Sequence, residues 1–174
     1  MRTVKTVIGL LTLVVGTTGC SKETDDSFTH LTPLNSTQVA VHRHGGPDAI
    51  VSKNGQLSIA GAVVSLDSTQ TALVMRYFEN VMTLRDDGFA TGMAGASTAM
   101  TAISSVVRGL ASGEPDKIGT DVEAKAAQLD AKAMKVCGDL HELATTQNAL
   151  SASLPAFRPY ALIGEKDVDE CRKG

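Results

Sequence analysis

Two apolar heptad runs between residues 89 and 143 constrain this chain more than any other feature of its sequence. In both runs the apolar positions step alternately by four and three residues, which keeps one helical face apolar and suits a seam between two helices. Residues 111–119, between the runs, contain glycines and a proline that stop a helix. The sequence therefore predicts a central antiparallel helical hairpin whose two heptad faces meet. The runs are Phe89, Met93, Ala96, Met100, Ile103, Val107 and Leu110, and Val122, Ala126, Leu129, Ala133, Val136, Leu140 and Leu143.

A region of short apolar runs and turn residues precedes the helices. Lys53-Asn54-Gly55 separates two such runs, and Asn-Gly is a strong signal for a hairpin turn. Ala60-Gly61 offers a second turn. We expect an antiparallel β-meander of three or four short strands over residues 39–66. Because so small a sheet is not stable alone, it must pack on the helices, which gives an α+β fold.

The remaining boundaries follow from capping and helix-breaking residues. Asp67 or Ser68, with Gln70, fits the start of a helix over residues 68–84. Residues 85–88 predict either a break or a kink before the hairpin helices 89–110 and 120–154, the latter capped by Thr120. Small residues beside the first heptad face allow a second helix to approach closely. The single folded domain then spans residues 39–163, and residues 164–174 form a charged C-terminal tail. These small residues are Gly92, Gly95, Ala99, Ala102 and Val106.

The N-terminus has the layout of an export signal. Positive charge in residues 1–5, a short apolar core and small residues before Cys20 are typical of a secretory signal peptide, here residues 1–19. Gly19-Cys20 resembles a bacterial lipobox, although Thr17 stands where Leu is usual. We expect Cys20 to carry acyl chains that anchor the protein in the bilayer, at the periplasmic face of the outer membrane since Ser21 follows. Residues 20–38 then form a flexible tether. The alternative is cleavage after Gly19 and a soluble periplasmic protein.

Lipidation of Cys20 leaves two cysteines, Cys137 and Cys171. In an oxidising compartment these two predict a disulfide that joins the tail to the last long helix. The alternative is a buried Cys137 with Cys171 near a frayed end.

Few residues suggest chemistry. His42 and His44, two residues apart on a predicted strand, leave the same face and are weak metal-ligand candidates with Asp48 nearby. Asp86 and Asp87 are candidate acid/base residues, although helix capping explains them better. No catalytic motif is present, so we predict no enzyme and no cofactor. A formal net charge of −3 without a basic run argues against a nucleic-acid partner.

Two blocks of the sequence resemble a known family. Residues 50–88, with NGQLSIAGAVVSLDSTQ and LRDDG, and residues 135–157, KVCGDLHELATTQNALSASLPAF, are similar to the YggN-like family of uncharacterised exported bacterial proteins. The resemblance implies an envelope location and a β-meander followed by long helices. It implies no activity and no functional residues.

Two classes of function remain. The first is a non-enzymatic, membrane-anchored periplasmic lipoprotein that binds another envelope protein in an assembly or structural role, or an immunity protein that neutralises a toxin delivered to the periplasm. The second is an envelope ligand-binding or metal-binding protein, or an enzyme, that uses His42 and His44.

Overall fold

A computed structural model of the protein describes residues 30–112 and 116–173. Five short antiparallel strands form one sheet in the order β1-β2-β3-β4-β5, and long helices follow it, so the predicted α+β meander and helical bundle are confirmed. The elements are β1 (Leu31–Asn35), β2 (Gln38–Val41), β3 (Ala49–Ser52), β4 (Leu57–Ile59), β5 (Ala62–Val63), α1 (Ser68–Ser112), α2 (Asp116–Ser153), a 3₁₀ helix (Pro155–Tyr160) and α3 (Glu165–Lys173).

The first strand, β1, lies where the sequence predicted a tether, so the boundary at residue 38 is wrong. Pro33 of β1 pairs with Val39 of β2. A proline is tolerated there because β1 is an edge strand, on which a missing N–H costs no ladder bond. Asn35 closes the following turn, since its side-chain oxygen accepts a hydrogen bond from the Thr37 N–H at 2.8 Å. The folded part therefore begins near residue 31.

Both predicted turns of the meander are confirmed. Gly55 has φ +83°, and its N–H donates to the carbonyl of Ser52 at 2.9 Å. Ala60 and Gly61, with φ of 53° and 78°, form the turn between β4 and β5. Gly55 also lies against α1, because a Cβ at this position would stand 2.6 Å from the methyl group of Thr71. Glycine here permits both the turn and the close approach of sheet and helix.

The inner face of the sheet packs on α1 to form the core. Tyr77 of α1 is fully buried and meets the ring of Phe157 edge-on, with ring centroids 5.3 Å apart. Burial raises the pKa of the Tyr77 phenol far above its ordinary value, so the hydroxyl stays protonated. The segment after Pro155 returns onto the core, where Phe157 and Tyr160 are buried. The largest buried apolar side chains of this core are Val39, Val51, Leu57, Val74, Tyr77, Leu140, Leu143, Leu150, Phe157 and Tyr160.

Helix α1 begins with the predicted cap. The Gln70 N–H donates to the Asp67 carboxylate at 2.8 Å, and the Asp67 N–H donates back to the Gln70 side chain at 3.1 Å. The helix then continues for 45 residues, about 68 Å at 1.5 Å per residue. The predicted separation into helices 68–84 and 89–110 is wrong. Gly88 costs a helix only about 1 kcal/mol, too little to break it when α2 packs alongside.

The second hairpin helix also starts earlier than predicted. α2 begins at Asp116, so Thr120 lies within the helix and is not its cap. Pro115, within the predicted break at residues 111–119, lies outside the described residues. Because α1 ends at Ser112 and α2 begins at Asp116, the connection between the two helices is shorter than that predicted break.

The C-terminal region is held by one buried amide and one covalent bond. The Gln147 side chain is fully buried, donates to the Ile163 carbonyl at 2.8 Å and accepts from the Leu162 N–H at 3.0 Å. Cys137 and Cys171, the predicted pair, are joined by a disulfide bond. The predicted tail is helix α3, fastened to α2 by this bond.

We expect removal of the disulfide to destabilise the fold and to loosen α3. The bond closes a chain segment of 34 residues, and the loss of that constraint costs roughly 3–4 kcal/mol of unfolding free energy. The variant Cys137→Ser/Cys171→Ser, compared with wild type in chemical denaturation, measures this difference. Limited proteolysis should then cut within residues 164–173 before it cuts elsewhere. Equal stability of the variant and the wild type would contradict this role of the bond.

Candidate functional site

The candidate site lies on the distal hairpin, which we define as residues 89–112 of α1 with residues 116–135 of α2. Here the inner face of α1 consists of small side chains that are half-buried against α2. A Cβ on Gly95 would stand 3.9 Å from the Leu129 side chain of α2. The small residues therefore let the two helices approach closely, as predicted for Gly95 and Ala102. The half-buried positions are Thr91, Ala94, Gly95, Thr98 and Ala102.

From Phe89 to Ile103, where the structure describes its side chains, the first heptad face is not between the helices. Its large side chains point to solvent, so the prediction that the two heptad faces meet is wrong for α1. We call Phe89, Met93, Ala96, Met100 and Ile103 the exposed seam. On α2, by contrast, the heptad positions Val122, Leu129, Val136, Leu140 and Leu143 are half-buried or buried, whereas Ala126 and Ala133 are exposed. The exposed fractions of the large seam side chains are Phe89 71%, Met93 58%, Met100 70% and Ile103 63%.

The continuity of α1 explains this orientation. The core fixes the rotation of the helix at Val81 and Leu84, and the same face continues without interruption through Gly88 and Thr91 to Gly95. Successive residues of an α-helix differ by about 100° around the axis. Phe89 follows Gly88, so the heptad that starts at Phe89 is rotated by that angle from the inner face. A break at residues 85–88 would have allowed the distal part to turn inwards.

A groove of about 560 Å³ runs between the two arms of the distal hairpin. Phe89 and Met93 of the exposed seam form its apolar side. Lys125 and Lys132 of α2 line the opposite side. Among the residues whose side chains the structure describes, no carboxylate pairs with either ammonium. Sequence analysis missed this pair of lysines, although their seven-residue spacing places them on one side of a helix.

A charged cluster joins the two helices where the distal hairpin meets the core. The Lys135 ammonium is hydrogen-bonded to the Asp87 carboxylate and lies 3.5 Å from Asp139 Oδ2. The hydrogen bond from Lys135 holds the pKa of Asp87 below its ordinary value, and the same bond raises the pKa of Lys135. Burial is the main cause that raises the pKa of Asp139, and the neighbouring Asp87 carboxylate raises it further. Asp87 thus links α1 to α2 and is not the predicted helix cap.

The predicted histidine candidates lie in the loop after β2, which ends at Val41. His42 uses both ring nitrogens: Nδ1 lies 2.8 Å from the Asp48 carboxylate and Nε2 lies 3.0 Å from Thr32 Oγ1. His44 instead meets the ring of His30, with centroids 5.6 Å apart. Among the described residues, no group of three or more His, Cys, Asp or Glu side chains is placed to hold a metal ion. The loop therefore brings His42 and Asp48 together, but separates them from His44.

The strand before this loop, β2, is not at the sheet edge, because β1 pairs with it on one side and β3 on the other. The Arg43 guanidinium lies over the ring of Tyr160, with its carbon 5.9 Å from the centroid. The Tyr160 hydroxyl donates to the Pro47 carbonyl at 2.7 Å. These contacts fasten the histidine loop to the 3₁₀ helix.

The remaining predictions concern membranes and relatives. The predicted signal peptide, residues 1–19, and the predicted lipidation site, Cys20, lie outside the described residues. In the described part of the chain, no helix combines the length and the apolar character needed to cross a bilayer. Comparison with protein-family models, with curated proteins and with solved structures found no match. The resemblance to the YggN-like family therefore stays a prediction.

Asparagine substitutions of the two aspartates are expected to have different effects on stability. The pKa of Asp87 is lowered by folding, so its charge stabilises the fold at neutral pH and this gain is lost as the pH falls through the lowered pKa. We expect Asp87→Asn to lower the Tm at neutral pH, with a deficit that shrinks on acidification. The pKa of Asp139 is raised, so its ionised form opposes folding at neutral pH. We expect the Tm of Asp139→Asn to equal or exceed that of the wild type at neutral pH. At a pH low enough to protonate the carboxyl groups, the Tm of the variant should no longer exceed that of the wild type.

Thermal unfolding of the two variants and the wild type across the acid range, followed by circular dichroism, makes this comparison. The two carboxamides serve as controls for each other, because each retains the size of the side chain that it replaces. An equal loss of Tm in both variants at neutral pH would contradict the assigned roles.

Proposed function

We propose that this protein is a non-enzymatic lipoprotein of a bacterial envelope, which binds another envelope protein through its distal hairpin in an assembly or structural role. The exposed seam is the observation that carries the binding part of this proposal. Monomeric proteins rarely leave a contiguous row of large apolar side chains in water, and such rows commonly mark interaction sites. The heptad spacing of the seam is the one that receives a partner helix.

The composition of the seam supports protein binding over chemistry. No charged residue occurs from Phe89 to Val107. Phe, Met and Ile supply apolar area, and Met adapts its shape to the surface that it contacts. The histidines and the Asp87 cluster lie outside the groove that the seam borders. The exposed seam therefore offers affinity for an apolar helix face.

The proposed envelope location rests on the predicted signal peptide and on the short chain segment between Cys20 and β1. With acyl chains on Cys20 and β1 starting at Leu31, residues 21–30 form the tether. Ten residues extend to at most about 35 Å. The folded part would then stay close to the membrane surface, at the periplasmic face of the outer membrane, where a partner in the envelope is within reach.

A capture experiment from envelope extracts tests the binding role. The full-length lipidated protein serves as bait beside a seam variant, Met93→Glu/Met100→Glu. A matched control, Leu34→Glu/Val63→Glu, adds the same charge at exposed apolar positions outside the hairpin. We expect the wild type and the control to retain a partner in stoichiometric amount, and the seam variant to lose it. Capture that does not depend on the seam would contradict the proposal.

The composition of the captured material distinguishes the two versions of this function. Several outer-membrane components would support the assembly or structural role. One partner encoded beside this protein would support an immunity protein instead. In the same strains, Cys20→Ala should move the protein from the membrane fraction to the soluble periplasm. Unchanged fractionation of that variant would contradict lipid anchoring.

A further inference from the structure

We propose that the groove of the distal hairpin receives an amphipathic helix of the partner protein that carries acidic residues along one edge. This inference rests on the proposed function and adds the chemistry of the partner. The groove has one apolar side, Phe89 and Met93, and one cationic side, Lys125 and Lys132. A helix with an apolar stripe beside a row of carboxylates is complementary to both sides at once.

The spacing of the two lysines fits a helix in particular. Lys125 and Lys132 are seven residues apart on α2, about 10.5 Å along the axis. A helix that lies along the groove rises by the same amount per residue, so carboxylates at positions i and i+7 reach both ammonium groups. Its apolar residues at heptad positions then face the seam, where Met93 and Met100 are separated by the same seven residues.

An anionic membrane fits this surface less well. A bilayer is flat, whereas the apolar and cationic residues here face each other across a concave groove. α2 also exposes Glu123 and Asp130, and neither of them lines the groove. A flat anionic bilayer laid on this face of α2 would meet these carboxylates, whereas a helix inside the groove meets Lys125 and Lys132.

The exposed seam of a second copy of this chain lacks the required charge. From Phe89 to Ser112, α1 contains no Asp or Glu. If the exposed seam of one copy lay in the groove of another, it would bring no carboxylate to Lys125 and Lys132. The charge pattern therefore favours an acidic helix over the exposed seam of a second copy.

Two synthetic peptides of about three heptads test this inference. Both carry Leu at the heptad positions; one has Glu and the other has Lys at every flanking position. Each carries a fluorophore, and anisotropy reports binding to the detergent-solubilised full-length protein. We expect the Glu peptide to bind and the Lys peptide to bind at least about tenfold more weakly.

Charge reversal in the protein supplies the specific control. Lys125→Glu/Lys132→Glu should lower the affinity for the Glu peptide by at least about tenfold and should raise the affinity for the Lys peptide. Lys53→Glu/Lys166→Glu makes the same change of charge at exposed sites outside the groove, and should leave both affinities unchanged. Circular dichroism verifies that all variants are folded. Equal binding of the two peptides, or equal effects of the two double variants, would overturn the inference.

Two further measurements address the other occupants. Sedimentation of the peptide-free protein shows whether it forms a dimer. A dimer that is dissociated by Met93→Glu/Met100→Glu would overturn the inference in favour of a second copy. Flotation with phosphatidylglycerol vesicles shows whether protein with unacylated Cys20 binds a membrane. Binding that is lost in Lys125→Glu/Lys132→Glu would overturn the inference in favour of a membrane surface. In the envelope capture, Lys125→Glu/Lys132→Glu should lose the seam-dependent partner. A partner that is still captured by this variant would overturn the acidic-helix inference and leave the proposed function intact.

Discussion

The packing of α1 against α2, which keeps α1 continuous through Gly88, determines how the distal hairpin is arranged. Lys135 of α2 is hydrogen-bonded to Asp87 of α1 at the point where the sequence permits a break. In a continuous helix, the direction of the side chains at one end fixes their direction along the whole length. The face that the core selects at Val81 and Leu84 therefore decides which residues of the distal hairpin meet α2, some 20 Å further along.

The surface of the hairpin follows from this rotation. Small residues face α2, which allows close packing, and the large apolar residues of the exposed seam face water. The hydroxyl groups of Ser97 and Thr98 in the distal hairpin donate to the Ala94 carbonyl of their own helix at 2.9 Å. A rigid core and an extended apolar surface are combined in one chain.

Local chemistry allowed much of the fold to be predicted from the sequence. The turn at Asn54-Gly55 and the cap formed by Asp67 and Gln70 depend only on residues close in the chain, and so does the class of fold. The pair Cys137 and Cys171 followed from counting once Cys20 was assigned to lipid. β1 was missed because its Pro33 argues against a strand and only its position at the sheet edge makes that residue acceptable.

The orientation of the seam could not be predicted, because it depends on contacts between distant residues. The heptad pattern shows that a face is apolar, but not which surface covers it. Whether residues 85–88 break the helix depends on packing against α2, whose Lys135 lies 48 residues after Asp87 in the chain. The cationic side of the groove could not be predicted for the same reason. Lys125 and Lys132 line a groove only because α2 lies beside Phe89 and Met93 of α1.

The most direct test of this account is the rate at which individual methionines of the purified, dilute protein are oxidised by peroxide, followed by mass spectrometry. Oxidation of a methionine thioether requires access from solvent. With α1 continuous and the seam outward, Met93 and Met100 should be oxidised nearly as fast as in the denatured chain, and the half-buried Met82 clearly more slowly. Protection of Met93 and Met100 to the same extent as Met82 would contradict the account, because the seam would then lie between the two helices.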